Sequence, residues 1–366
     1  MSTPLASIFG SGFLVIVPIL ASVVGPWSPL VMAAVCAVAW CVGSTIRFNI
    51  RHVEPQLAGK AASSTRSLER SADLALVIAY IISVCLYLHI LSAFLLAGLG
   101  MDSPFNENLL TTTVILLITI VGIVRGLELL EKLEVWSLAA TVLIIALLIG
   151  GFAWYDFGVV GVSDWQWPQM PDRGGWEILT VVGGTLIVVQ GFETPRYMGD
   201  TYSAAERIAA SRRAQVVSSL VYVAFVALAV PVVPVLNGDF GDNSLIQLTT
   251  VAASVLVAPL IAAAVLSQFS AAVADTMAAC GSLEEVTQGH LQARWAYFLV
   301  GAVAVALTWS ADTYEVLALA SRAFALYFLL QCLVAGSVVK SVAAHAAFGV
   351  LAVVLGFVMI FAVPAG

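Results

Sequence analysis

Apolar residues run along the chain in long stretches, separated by short polar segments or by segments with proline and glycine. Most stretches are about 20 residues long, the length of an α-helix that crosses a bilayer, whereas outer-membrane barrel strands alternate over about 10 residues. The pattern predicts an all-α polytopic membrane protein with about eleven transmembrane helices. Their approximate bounds are 7–25, 28–47, 72–99, 108–125, 133–154, 176–198, 214–236, 245–280, 295–310, 313–339 and 342–363.

The composition excludes a water-soluble protein. The 366 residues are 61% hydrophobic and only 10% charged, with a mean hydropathy of +1.02, whereas soluble domains carry about 25% charged residues. We therefore expect the lipid bilayer and a small-molecule solute as partners, and no nucleic acid. The oligomeric state stays open, and no cofactor is expected beyond a coupling ion, either sodium or a proton.

The distribution of basic residues predicts the orientation. If the amino terminus is inside, only Arg173 of the 15 Lys and Arg residues falls in an outer loop, and Arg322 lies within a span. Positive residues concentrate on the inner side of membrane proteins. The sequence therefore predicts an inner-membrane protein with its amino terminus inside and, because the number of spans is odd, its carboxyl terminus outside.

Two spans contain residues that interrupt a helix. Span one contains Gly10-Ser11-Gly12, and span six contains the segment 190–195, which ends in a proline. Inverted-repeat transporters interrupt the corresponding helix of both halves. We therefore predict a first five-helix repeat over 1–155, a second, inverted repeat over 176–339, and an additional helix over 342–363.

An interruption frees backbone amides and carbonyls, which survive in a membrane only beside a cavity or a bound solute. Freed amides suit a carboxylate and freed carbonyls suit a cation. The alternative is that the glycines only allow close packing of helices. The predicted substrate-binding residues are Gly10, Ser11, Gly12, Gln190, Gly191, Phe192, Glu193 and Thr194.

Glu193, Asp275 and His89 fall inside predicted spans, where ionisable residues are costly and are candidates for function. Glu193 lies beside the second interruption, so it is a candidate for proton coupling or a structural carboxylate. Asp275 shares a helical stripe with Gln268 and Ala272, which favours the bundle interior. His89 is a possible proton relay, with a buried structural histidine as the alternative.

The interruptions also carry a family resemblance. Gly10-Ser11-Gly12-Phe13 resembles the GSG-[IV]-F signature of the amino acid–polyamine–organocation superfamily, and Gly191-Phe192-Glu193-Thr194 resembles its G-[FYV]-E-[ST] signature. The run 121–126 is similar to that family's passage from span four to span five. The resemblance implies the LeuT-type fold, a 5+5 inverted repeat with broken helices 1 and 6, and secondary transport. Many relatives have a twelfth span that this chain lacks.

The resemblance also implies an ion site on span eight. Sodium-coupled LeuT-type proteins carry a small-x-x-[ST]-[ST] pattern there, and Ala272-Val273-Ala274-Asp275-Thr276 resembles it with Asp275 in place of the first hydroxyl. The implied ion-coupling residues are Glu193, Ala272, Asp275 and Thr276. A sodium ion at Asp275 and Thr276 and a proton on Asp275 are the two alternatives.

These observations together predict a secondary active transporter that works by alternating access. The chain would be an ion-coupled symporter or antiporter of a small organic solute, and the resemblance points to an amino acid or amine. An inorganic cation transporter or channel is one alternative. An intramembrane enzyme that uses Glu193, Asp275 and His89 as acid–base groups is another, although the chain carries no phosphate-binding loop or hydrolase motif.

Overall fold

The computed structural model describes residues 2–10, 12–59, 61–127, 133–161 and 167–364. Within these ranges the chain forms α-helices, short 3-10 and π turns, and no β-strand. The α-helices are α1 (Ser2–Ile8), α2 (Gly12–Val24), α3 (Ser28–Phe48), α4 (Glu54–Leu57), α5 (Ser63–Leu99), α6 (Pro104–Arg125), α7 (Leu133–Gly161), α8 (Gly175–Gly183), α9 (Ala204–Ala229), α10 (Ser244–Ala253), α11 (Val257–Val286), α12 (Ala293–Thr308), α13 (Thr313–Val338) and α14 (Val342–Phe361).

Long apolar helices dominate the fold. Eight helical stretches of the described chain are long and apolar enough to cross a membrane, and the first of them, Pro4–Leu57, contains both of the first two predicted spans. The ninth predicted span corresponds to α12, an apolar helix of 16 residues. The prediction of an all-α polytopic membrane protein is confirmed, whereas the number of eleven spans and the inverted repeat stay predictions.

The centre of the bundle is α5, which packs most extensively against α11 and α13. Its most apolar segment is 83% buried, whereas that of α14 is 11% buried. A helix with apolar residues on all sides belongs in a protein interior or against lipid. We therefore place α5 in the core and α14, which packs on α13, at the periphery.

The structure differs from the predicted spans in some helix bounds and in the continuity of one span. The helix α5 begins at Ser63 rather than at 72, because the polar residues before 72 continue the helix despite their low hydropathy. The predicted span 245–280 is two helices, since α10 ends at Ala253 and a 3-10 turn, Ser254–Leu256, precedes α11. Continuous apolar composition conceals this turn.

The chain leaves the α-helix at both predicted interruptions. The helix α1 ends at Ile8 and α2 begins at Gly12. After α8, the second interruption consists of two short 3-10 turns, Leu186–Val189 and Thr194–Tyr197, joined by non-helical residues. Both interruptions lie in the interior, where Phe9 and Phe192 are almost fully buried.

Candidate functional site

The two interruptions pack directly against each other. A Cβ atom added to Gly12 would overlap the carbonyl oxygen of Val188, and one added to Gly191 would lie 2.7 Å from the backbone nitrogen of Ile8. Gly191 also has a φ of +120°, which side-chain-bearing residues rarely adopt. Both positions therefore require glycine. We call this contact between Ile8, Gly12, Val188 and Gly191 the crossing.

One hydroxyl group satisfies carbonyls from both sides of the crossing. The Oη of Tyr222, on α9, lies 2.8 Å from the carbonyl oxygen of Ile8 and 3.0 Å from that of Val188. Tyr222 is 1% exposed. Because these carbonyls belong to the ends of interrupted helices, the hydroxyl replaces hydrogen bonds that a continuous helix would supply. Sequence analysis missed Tyr222, which carries no motif.

The carboxylate of Glu193 pairs with a backbone amide of the interruption that contains it. Its Oε2 accepts a hydrogen bond of 2.8 Å from the backbone nitrogen of Gly191, and its Oε1 has no partner among the described residues. The side chain is fully buried. The hydroxyl of Thr194 donates to the carbonyl of Gly191, and the hydroxyl of Ser211 donates to that of Phe192, both at 2.9 Å. Glu193 therefore occupies the amide that an anionic solute would otherwise use.

A cavity of about 200 Å³ lies beside the first interruption, between α1, α5, α7 and α11. We call it the central cavity. Its walls carry two carboxylates, Glu134 and Asp275, and the hydroxyls of Ser7 and Tyr87, and no Lys or Arg lines it in the described part of the chain. The Oδ2 of Asp275 is buried and has no hydrogen-bond partner within the described ranges of the chain. The cavity is thus suited to a positively charged or hydrogen-bond-donating group.

The structure places the predicted substrate-binding residues in different parts of the site. Thr194 lines the central cavity, and Gln190 approaches it because its Nε2 donates to the hydroxyl of Tyr87 at 3.3 Å. Phe192 points elsewhere and stacks on Phe328 with ring centroids 5.3 Å apart. Gly12 and Gly191 form the crossing, Gly10 lies next to it, and Ser11 lies outside the described residues.

The helix α11 meets the first interruption through Gln268. The Nε2 of Gln268 donates to the carbonyl oxygen of Gly10 at 2.8 Å, and Gln268 is completely buried. The hydroxyl of Thr276 donates to the carbonyl of Ala272, one turn earlier in the same helix, at 2.7 Å. Gln268 therefore links α11 to the first interruption by a hydrogen bond, whereas Asp275 lines the central cavity.

Two ion pairs stabilise the position of the segment that follows Glu193 against α4 and α5. Arg196 pairs with Glu69 of α5 at 2.5 Å, and Arg207 pairs with Glu54 of α4 at 2.5 Å. Arg207 also donates to the carbonyls of Pro195 and Arg196. Both arginine side chains are buried, so removing one partner would leave an uncompensated charge. In the sequence, both arginines indicate only the orientation of the chain in the membrane.

His89 lies away from the central cavity. It is 3% exposed and lines a different cavity, near the ends of α12 and α6, together with Asp312 and Glu107. Glu193 therefore lies at the second interruption and Asp275 lines the central cavity, whereas His89 does neither. Tyr80 and Tyr87 are close enough to both carboxylates to interact with them electrostatically.

Comparisons with known proteins identify the family. A family model described as APC superfamily transporter matches residues 1–362. An uncharacterized protein of Aquifex aeolicus (strain VF5) is 37% identical over 338 residues, which are 91% of this chain and 82% of the relative. This similarity agrees with the apolar helices and the resemblance of the two interruptions, and it makes the protein a membrane transporter rather than an enzyme. The chain belongs to the APC superfamily of transporters.

Proposed function

We propose that the protein is a secondary active transporter of a small organic solute with a protonated amino group, an amine or an amino acid. The observation that carries the proposal is the unpartnered Oδ2 of Asp275 in a cavity whose described walls include Glu134 and no basic residue. A buried carboxylate without a partner is costly. A solute ammonium group would compensate this cost by a charge-assisted hydrogen bond.

Contacts at the crossing support an amine more directly than an anion. The backbone nitrogen of Gly191 already donates to Glu193. A solute carboxylate would therefore have to use the amides at the first turn of α2, beginning at Gly12. An amine needs only the carboxylates and hydroxyls of the central cavity, such as Asp275 and Tyr87.

We propose that a proton couples transport, with sodium as the alternative. The amide of Gln268 takes the carbonyl of Gly10, and the hydroxyl proton of Thr276 is used within α11. The first contact occupies a lone pair of a carbonyl oxygen that a sodium ion between α11 and the first interruption would use, whereas the oxygen of Thr276 keeps its lone pairs, and hard cations prefer oxygen ligands. Asp275 and Glu193 each keep an unpartnered carboxylate oxygen that a proton can occupy.

We also propose that the chain has its amino terminus inside and works by alternating access. In this orientation the residues of the central cavity extend toward the inner ends of α7 and α11, at Glu134 and Ala278. The ion pair between Arg196 and Glu69 lies on the same side. Movement of the inner ends of α7 and α11 relative to α5 would open the central cavity to each face of the membrane in turn.

The test is uptake by the full chain reconstituted in lipid vesicles. A panel of radiolabelled amines, amino acids and carboxylates is presented under an imposed pH gradient and, separately, under a sodium gradient at fixed pH. The proposal expects uptake of at least one amine or amino acid that depends on the pH gradient. Uptake that is confined to carboxylates without an amino group, or that is independent of both gradients, would contradict it.

A further inference from the structure

A second cavity, of about 430 Å³, lies toward the end of α5 opposite Glu69. It is bounded by α5, the first turn of α6, the loop before α10, and the link between α12 and α13. Four carboxylates line it, from Glu107, Asp242, Asp312 and Glu315, and no Lys or Arg does so among the residues that the structure describes. We call this cavity the acidic pocket.

Three of the four carboxylates of the acidic pocket, those of Asp242, Asp312 and Glu315, are held in place by uncharged groups. The hydroxyl of Thr313 donates to Oδ2 of Asp242 at 2.7 Å. Asp312 and Glu315 form a reciprocal capping box at the start of α13, with hydrogen bonds of 2.9 and 3.0 Å. These contacts fix the directions of the carboxylates and leave their negative charge uncompensated by any basic side chain in the described lining.

His89 is the independent indication of a ligand. It is 3% exposed, it lines the acidic pocket, and its Nε2 has no hydrogen-bond partner among the described residues. The carboxylate of Asp312 is within electrostatic range of the imidazole. Because a buried polar atom without a partner destabilises a protein, a bound molecule that supplies a hydrogen-bond donor would remove this cost.

Two aromatic rings complete the walls. Trp309 donates its indole N–H to the hydroxyl of Thr112 at 2.9 Å, and Tyr314 donates its hydroxyl to the carbonyl of Phe240 at 2.8 Å. Both side chains line the pocket, and their polar atoms are already paired. Aromatic faces attract cations, above all organic ammonium groups.

We propose that the acidic pocket binds a small organic ammonium ion, at a site separate from the central cavity. The ammonium group donates to carboxylates of the pocket, a donor group of the ligand reaches Nε2 of His89, and the carbon atoms of the ligand pack on Trp309. An organic ion fits better than a bare metal ion, because no group of three or more His, Cys, Asp or Glu side chains in the described chain is placed to hold a metal. The inference does not depend on which solute the central cavity takes.

The test is calorimetric titration of the full chain in lipid nanodiscs with butane-1,4-diammonium at low ionic strength. Butane-1,4-diol, which has the same length and no charge, is the control ligand. We expect saturable binding of the diammonium and none of the diol. Equal binding of the diol, or displacement of the diammonium by magnesium as effective as displacement by a second alkylammonium, would overturn the proposal.

Matched variants locate the site. Glu107→Gln should weaken binding of the diammonium at least tenfold, whereas Glu177→Gln should change it less than twofold. Both glutamates lie in the first turn of a helix, but Glu177 is paired with Arg173 at 2.6 Å. Asp242→Asn provides a second test if Glu107→Gln does not fold. An affinity unchanged in both pocket variants would overturn the assignment.

Three further variants separate the pocket from the rest of the protein. His89→Phe should weaken binding several-fold, and His89→Gln, which keeps a hydrogen-bond acceptor, should restore most of it. Asp275→Asn removes the carboxylate that the proposed function assigns to amines in the central cavity, so saturable binding of the diammonium should persist in this variant at the acidic pocket. Complete loss of binding in Asp275→Asn would place the probe in the central cavity alone and refute the acidic pocket, whether or not the transport proposal holds.

Discussion

The side-chain nitrogen Nε2 of Gln268 lies 2.8 Å from the carbonyl oxygen of Gly10, which joins α11 to the first interruption. Both groups are buried, and the helix that would otherwise use this carbonyl has ended at Ile8. The contact shows how the interruption is stabilised without a bound ligand: a neutral amide donates where the backbone no longer does.

Replacing Gln268 should therefore destabilise the protein. Gln268→Ala leaves the Gly10 carbonyl buried without a donor, which costs about 1–3 kcal/mol, with a further loss from the cavity created. The measurement is the midpoint of thermal unfolding in detergent. Gln292→Ala is the control, because Gln292 is exposed and makes no side-chain capping bond. Equal midpoints for the two variants would show that the Gln268 contact is dispensable.

Tyr222→Phe tests the hydroxyl that reaches both sides of the crossing. Loss of this hydroxyl removes the donor shared by the carbonyls of Ile8 and Val188 and should lower the free energy of unfolding by about 1–3 kcal/mol. Tyr202→Phe, at a residue 47% exposed, should have almost no effect. Urea titration of both variants gives the comparison. A Tyr222→Phe protein as stable as the wild type would mean that the carbonyls find other donors.

Gly191→Ala should be more damaging than an alanine at another glycine of positive φ. Gly191 combines a φ of +120° with a close approach to Ile8, whereas Gly238 has a φ of +88° and open space around its Cα. Strain of this kind costs of order 1–3 kcal/mol, and only Gly191→Ala adds a steric overlap. We expect Gly238→Ala to fold and transport, and Gly191→Ala to lose transport. Similar thermal midpoints and uptake rates in both would argue against the crossing.

A pH dependence is expected at Asp242, in the loop before α10. Burial raises the pKa of its carboxyl above the usual range, and the hydrogen bond from Thr313 offsets only part of that effect. Because the pKa is raised in the folded state, the protonated carboxyl of Asp242 contributes its full stabilisation below the pKa of the unfolded state, about 3.9. This stabilisation is lost as the pH rises through the pKa of the folded state. The ionised group is therefore unfavourable at neutral pH.

Asp242→Asn should consequently raise the thermal midpoint relative to the wild type at pH 7, and the difference should vanish near pH 4. Asp239→Asn, at an exposed position of the same loop, is the control. The measurement is a series of thermal unfolding curves between pH 4 and 8. A midpoint for Asp242→Asn that falls below that of the wild type at pH 7 would contradict the assigned direction.

The sequence was sufficient to predict an all-α polytopic membrane protein and the positions of both interruptions. Glycine and proline act locally, so Gly10, Gly12 and Gly191 could be recognised from neighbouring residues alone. The side chains that stabilise these interruptions could not, because Tyr222 and Gln268 lie on helices distant in sequence and only the packing of the bundle brings them close.

The same reason explains the ion pairs and the division of the predicted eighth span. Arg196 and Glu69 are 127 residues apart, and each resembles an ordinary residue of a polar loop. The turn at Ser254–Leu256 interrupts a stretch whose mean hydropathy is high, so hydropathy does not reveal it. Pattern analysis finds features that depend on neighbours and misses those that depend on tertiary contacts.

The most direct test of the account concerns the carboxylate of Asp275, which we propose binds the solute's amino group and takes part in coupling. Asparagine keeps the shape of the side chain and removes the charge that an ammonium group or a proton requires. The measurement compares wild type and Asp275→Asn in lipid vesicles, with uptake driven by a pH gradient and, in parallel, exchange of solute without a gradient.

Glu193→Gln, at the other buried carboxylate, is measured alongside and should shift the pH dependence of uptake more than its sodium dependence. For Asp275→Asn the account predicts a folded protein, shown by an unchanged elution profile in detergent, in which gradient-driven uptake falls at least tenfold. Gradient-driven uptake in Asp275→Asn equal to that of the wild type, with the same dependence on pH, would contradict the account.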